Sequence, residues 1–236
     1  MIYQNNKRRF SLLALALCLA AGYGSAPASP HRAGPVTLNA VISIADARNQ
    51  LPGTIVTVEG SVTVPSGAFT SSTFDQGFAI QDETAGIYVS TSENPNLNFH
   101  RHVRVTGVVA DDGFGLLILR PASLADVETL PGASPVTPLS VSTGGVSEAT
   151  EGSLVEIAGT VTRPVRQDLT FGFSVFIDDG TGEVQVFIPA STGVDPFTIP
   201  FITPGARIRV VGFSGQFQTQ FEVLPRYQGD ILPQVP

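Results

Sequence analysis

The chain has 236 residues, with 13 Lys+Arg against 20 Asp+Glu, one cysteine and no tryptophan. One cysteine, Cys18, excludes an intrachain disulfide framework and a cysteine-built zinc site. A net charge of −7, with Lys7 the sole lysine, excludes a protein that tracks duplex phosphates by bulk electrostatics.

The N-terminus has the pattern of an export signal. Lys7, Arg8 and Arg9 precede an unbroken small-and-apolar run from Phe10 to Gly22, the length of a signal core and short for a membrane span. Ala26-Pro27-Ala28 supplies the small residues of a cleavage site. Residues 1–28 are therefore expected to be a signal peptide and 29–40 a leader, with the protein secreted or held in the periplasm or cell envelope and no membrane span left after cleavage. Leu17 occupies the position where a lipoprotein signal needs a small residue, so Cys18 reads as one more apolar residue of the signal. The remaining chain carries a net charge of −10, because the three cations of residues 1–28 have no acidic counterpart there.

From about residue 41 the apolar residues recur with period two in short runs rich in Val, Ile, Thr and Gly, the pattern of half-buried strands. The phrase 54–63, with Val56, Val58 and Val62 on one face, returns 99 residues later as 153–162. The hairpin 78–89 answers to 175–186, the strand 103–108 to 208–213, and Asp126-Val127 to Asp230-Ile231. Four matches in one order mark a duplicated unit. Each unit holds a long first strand, a hairpin, a fourth strand and a fifth (about 115–120 and 217–223), and closing five short strands into a small barrel buries one face and removes the edges. Gly60 and Gly159 mark the bend of the first strand. Short amphipathic stretches at 44–49 and 146–151 precede each unit, and Pro131-Gly132-Ala133-Ser134-Pro135 reads as a linker.

The residues Val56, Val58, Gly60, Val62 and Thr63, then Ile80, Gln81, Asp82, Thr84, Gly86, Ile87 and Val89, then Val103, Val105 and Gly107 resemble the secreted bacterial OB-fold domains that accompany extracellular nucleases and phosphoesterases. In the second unit Asp178 replaces the Gln and Glu183 the second Gly. The resemblance implies an all-β fold of two tandem five-stranded OB-fold barrels, at 41–130 and 139–233, joined by a linker at 131–138. It also implies nucleic-acid-binding-type chemistry, although no nuclease or phosphoesterase domain follows in this chain.

Catalysis finds little support. His100 and His102 could face one side of a strand, but no third histidine or cysteine completes a zinc site, and no cofactor is expected. The acidic pairs Asp82-Glu83, Asp111-Asp112 and Asp178-Asp179 fall where hairpins must reverse and read as turn residues. Binding has a better case, since OB barrels take ligands across strands two and three, flanked by the loops joining strands one to two and four to five. Those loops carry Phe69, Phe74 and Phe114 in the first unit and Arg163, Arg166, Phe171 and Phe173 in the second. Such rings can stack on bases, with arginine as cation-π or phosphate partner. The expected function is thus an exported, non-catalytic tandem OB-fold binding module, with single-stranded nucleic acid or oligonucleotide as ligand. The alternative is a module that binds an exported nuclease or phosphoesterase, or an envelope protein, without nucleic acid. The repeat boundaries further suggest two halves that fold independently and separate within 131–138.

Overall fold

A computed structural model describes residues 40–69 and 74–234; the expected signal peptide, Cys18, and all of the leader but Ala40 lie outside them. The first unit comprises β1 (Val41–Ile42), α1 (Ile44–Arg48), β2 (Ile55–Val64), β3 (Phe78–Gln81), β4 (Gly86–Val89), β5 (Arg101–Asp111), β6 (Leu117–Arg120) and β7 (Val127–Ala133). The second comprises β8 (Leu139–Ser140), β9 (Leu154–Val161), β10 (Arg166–Asp168), β11 (Gly172–Asp178), β12 (Val184–Pro189), β13 (Arg207–Phe217), β14 (Gln220–Leu224) and β15 (Ile231–Pro233). In the first, β2-β3-β4-β6-β5 closes because β5 also pairs with β2; in the second, β9 pairs with both β11 and β13. The parallel β4–β6 and β12–β14 pairings complete two closed OB-fold barrels in tandem.

Alternation sends Val56, Val58, Val103 and Val105 into the core of barrel 1, and Val175, Ile177, Val184, Val186 and Ile188 into that of barrel 2. The first strand of each barrel crosses the second so closely that a Cβ on Gly60 would meet Gln81 O at 3.0 Å, and one on Gly159 would meet the Asp178 backbone at 2.9 Å. Ahead of barrel 1, α1 buries Ile44 and Ala47 against the core. The acidic turn residues do more than turn the chain. Asp82 accepts from Ile44 N at 2.8 Å, and its repeat counterpart Asp179 accepts from Thr143 N and Oγ1, so each ties the segment preceding its barrel to the β-hairpin.

The expected linker is partly strand: β7 runs to Ala133, which pairs with Arg101 of β5. The two barrels also share a core. On barrel 1, Ala79, Tyr88 and Ile118 stand in adjacent pairing positions of β3, β4 and β6 on the outer face. They pack with Val64, Phe69 and Leu116 onto Phe213 and Leu224 of barrel 2. Tyr88 meets Phe213 edge-on, with centroids 5.9 Å apart, and Phe69 lies 6.2 Å from the same ring.

Polar contacts cross this seam as well. Arg48 reaches Glu151 at 3.0 Å and Glu148 at 3.3 Å, Leu154 N donates to Gln81 Oε1, and Arg226 donates to the Thr63 carbonyl. Gly86 and Gly152 touch backbone to backbone, leaving no room for a Cβ on either. The duplicated sequence suggests separable halves; the seam instead makes barrel 1's outer face an interior surface.

Burial holds the Glu151 carboxyl above the usual range, opposed by Arg48, and one of its oxygens has no hydrogen-bond partner among the described residues. Removing the cation from such a pair leaves a buried charge uncompensated. Arg48→Ala should therefore cost roughly 3 kcal/mol at pH 7, lowering Tm by about 6–12 °C. The loss should shrink toward pH 5 as Glu151 takes up a proton, checked by thermal melts at both pH values. Wild-type protein should melt in one transition; two separate transitions would show that the seam does not couple the barrels.

Candidate nucleic-acid interface

Register makes Ala79, Tyr88 and Ile118 of barrel 1 equivalent to Phe176, Gln185 and Glu222 of barrel 2, since both trios occupy directly paired positions on the second, third and fifth strands. The first trio is apolar and covered by the other barrel. In barrel 2 the same outer face carries Phe176, Gln185, Phe187 and Glu222, because Val175, Ile177, Val184, Val186 and Ile188 take the inward positions. Ser174, fully buried, accepts from Gln185 Nε2 at 3.1 Å.

The second unit's two departures from the repeated pattern follow from docking. Gln81 and Gly86 contact barrel 2, one through its carbonyl oxygen and the other through bare backbone. Their counterparts Asp178 and Glu183 are free of that duty. Asp178 accepts from Gly180 N and Gly182 N in its own turn, and Glu183 pairs with Arg163. That pairing holds the Arg163 guanidinium 3.8 Å from the Phe176 ring centroid, a cation-π stack on the outer face.

The sequence-selected residues separate into different environments. Arg163 stacks on Phe176. Arg166 begins β10, exposed, and pairs in register with Ser174, so it borders the same face. Phe171 packs on Phe74, centroids 6.3 Å apart, where the loops after the two first strands meet. Phe114 stacks on Phe217 at 5.3 Å in the matching pair of later loops. Two expectations need correction. Phe69 is only 3% exposed and belongs to the seam. Phe173 points inward, packing on the core of barrel 2 and meeting Phe197 edge-on. Loop position suggested both as ligand contacts; packing against an apolar surface claims them first.

Sequence reasoning passed over Phe176, Gln185, Phe187 and Glu222. The available signal was the repeat itself, where an acid stands between Phe221 and Val223 at the place Ile118 takes in the first copy. Burial, reinforced by the charge of Asp168, pushes the Glu222 carboxyl up to about 8. His100 and His102 are not brought into a metal site; His102 lies 3.8 Å from Glu59, and among the described residues no three metal-ligating side chains converge. An open groove of about 500 Å³ beside β1 is lined by Glu59, Asp82, Glu83 and His102. Two of these carboxylates are already engaged, Glu59 by Arg104 and Asp82 by Ile44 and Thr84.

The chain is a protein of two docked OB-fold barrels, with the outer face of the second carrying both aromatic and polar side chains. No protein-family description matches the sequence, and no curated protein does either. Among solved structures, a murine DNA-binding protein bound to double-stranded DNA is 11% identical, covering 78% of this chain and 100% of that one at a TM-score of 0.39. The p204 HINb domain is 12% identical over 73% of this chain and 93% of its own, TM-score 0.34. A replication protein A heterotrimer bound to single-stranded DNA is 18% identical over 43% and 84%, TM-score 0.31. Likeness at these scores carries no functional weight. No described helix is long and apolar enough to cross a membrane.

The Glu222 environment makes the stability of the fold depend on pH. Its folded-state pKa lies above the ordinary 4.5, so its contribution to stability is fully present below that value and is lost as pH rises through about 8. Glu222→Gln should remove the loss. Its Tm should exceed wild type at pH 9 by an amount equivalent to about 4 kcal/mol and converge with it near pH 5, measured by melting across that range. Equal pH profiles would contradict the burial argument.

Proposed function

We propose that the protein is an exported, non-catalytic binding module that takes single-stranded nucleic acid or oligonucleotide on the outer face of barrel 2, with barrel 1 as its permanent support. The observation that carries this reading is the divergence of the two equivalent faces. Barrel 1 spends its strand-two and strand-three surface on Ala79 and Tyr88 packing, whereas barrel 2 keeps Phe176 and Phe187 there, bordered by Arg163 and Arg166. Aromatic and guanidinium planes stack on any base, and such stacking contributes about 1–3 kcal/mol per base. It can therefore supply affinity that an acidic, lysine-poor protein cannot draw from phosphate contacts.

A second reading has its own observation. Phe74 and Leu169 are 68% and 74% exposed, and both hold positive φ (56° and 50°), a conformation that disfavours side chains of this size. Two strained, water-exposed apolar residues at loop tips suit capture by an apolar pocket on an exported nuclease, phosphoesterase or envelope protein.

Fluorescence anisotropy with a labelled single strand separates the readings. If nucleic acid is the ligand, binding should weaken only shallowly with salt, with a logarithmic slope of about −1 to −2 for two phosphate contacts. Replacing Arg163 and Arg166 together with alanine should abolish it while moving Tm little, since exposed ion pairs such as Arg163–Glu183 contribute at most about 1 kcal/mol. Absence of wild-type binding at low salt would leave the protein-partner reading.

A further inference from the structure

Three strands of barrel 2 bring one row of side chains to its outer face. Phe176 on β11 is paired with Gln185 on β12, and Gln185 with Glu222 on β14. Neighbouring strands lie about 4.8 Å apart, so a planar ring seated over the Phe176–Arg163 stack would project its edge across Gln185 toward Glu222. Glu222 is 9% exposed and has no hydrogen bond or ion pair among the described residues, although its neighbours are satisfied: Gln185 bonds Ser174, and Arg163 bonds Glu183. An unpartnered buried carboxyl costs stability. The first copy avoids that cost with Ile118 at the equivalent position, and nothing in the fold of barrel 2 requires an acid there.

We propose that Gln185 and Glu222 form the edge-reading half of the barrel 2 site, hydrogen-bonding the polar edge of a nucleobase whose ring stacks on the Phe176–Arg163 pair. The assignment rests on the nucleic-acid reading above and adds to it which groups touch the base and in which protonation state. With its carboxyl pushed up to about 8, Glu222 is protonated at neutral pH and presents one donor and one acceptor side by side. That pattern complements the edge of every base, so the site would accept any sequence. Ionised, it presents acceptors only and adds a buried negative charge beside the ligand phosphates.

The groups that set this titration are few. Asp168 of β10 raises it, and the cations on or beside this face among the described residues are Arg163, held by Glu183, and Arg166 of β10; β12 offers Gln185 and Phe187, and β13 offers Phe213, Gly215 and Phe217, none of which titrates. On β14 itself, Gln220 and Leu224 share its face and are likewise neutral.

The test uses the full chain and two probes, a labelled single-stranded oligonucleotide and an abasic strand of equal length, each at pH 7 and pH 9. Wild type should lose about tenfold in affinity for the normal strand between the two pH values, the discrimination expected of one paired base-edge contact. Glu222→Gln should bind like wild type at pH 7 and keep its affinity at pH 9. Glu222→Ile, the side chain the first barrel carries, should be about tenfold weaker at both pH values on the normal strand, yet equal to wild type on the abasic strand.

A Glu222→Ile defect of the same size on both strands would mean that the residue acts through the barrel rather than the base, and would overturn the proposal. So would wild-type affinity that does not change with pH, or Glu222→Ile binding as wild type, in each case with the nucleic-acid reading intact. Failure of wild type to bind any strand would overturn that reading and this proposal together.

Discussion

The packing of Tyr88 and Phe69 against Phe213 is the contact on which the rest of the molecule depends. It buries the outer row of barrel 1 in a seam shared with barrel 2. Burying one such side chain contributes about 1.5–3 kcal/mol, so several together outweigh any one polar contact that crosses the interface. The polar contacts set geometry instead. Arg48 on the buried Glu151 and Arg226 on the Thr63 carbonyl favour one orientation, and the bare backbones of Gly86 and Gly152 let the barrels close to contact.

Docking releases one copy of the duplicated unit while constraining the other. Both copies need the same interior, so Val58 and Ile157, Val105 and Val210, Asp82 and Asp179 keep their character; each aspartate still anchors the segment ahead of its barrel. The exteriors answer to different neighbours. Where barrel 1 presents Ala79, Tyr88 and Ile118 to another apolar surface, barrel 2 presents Phe176, Gln185 and Glu222. Where barrel 1 must have glycine at position 86, barrel 2 has Glu183, which holds Arg163 over an aromatic ring. The mixed aromatic and polar face of barrel 2 is thus a consequence of barrel 1 having taken the supporting role.

Electrostatics on that face are local. The protein's net charge is negative, and four arginines away from that face, Arg48, Arg104, Arg209 and Arg226, each pair with a carboxylate. Arg166 has no ion pair among the described residues, and Arg163 is held by Glu183 in a position that leaves it about half exposed. Recognition on such a surface depends on stacking planes and hydrogen-bond edges more than on charge, and the neutral form of Glu222 fits that regime.

Much of this was legible in the chain itself. Period-two apolar runs, the 99-residue repeat and the turn chemistry of Asp, Gly and Pro dictated two closed barrels and their strand order, because burial of alternate residues and edge closure are local requirements that sequence records directly. The sequence also pointed to the loop arginines, since a cation beside aromatics has little reason to be in a core. It could not say which barrel face would be free. Phe69 and Phe173 look like Phe74 and Phe171 along the chain, and only the approach of residues far apart in sequence made the first two interior and left the other two in water. Whether Glu222 is a surface acid or a buried neutral carboxyl likewise depends on what packs around β14, and desolvation is a property of the assembled surface, which no single segment encodes.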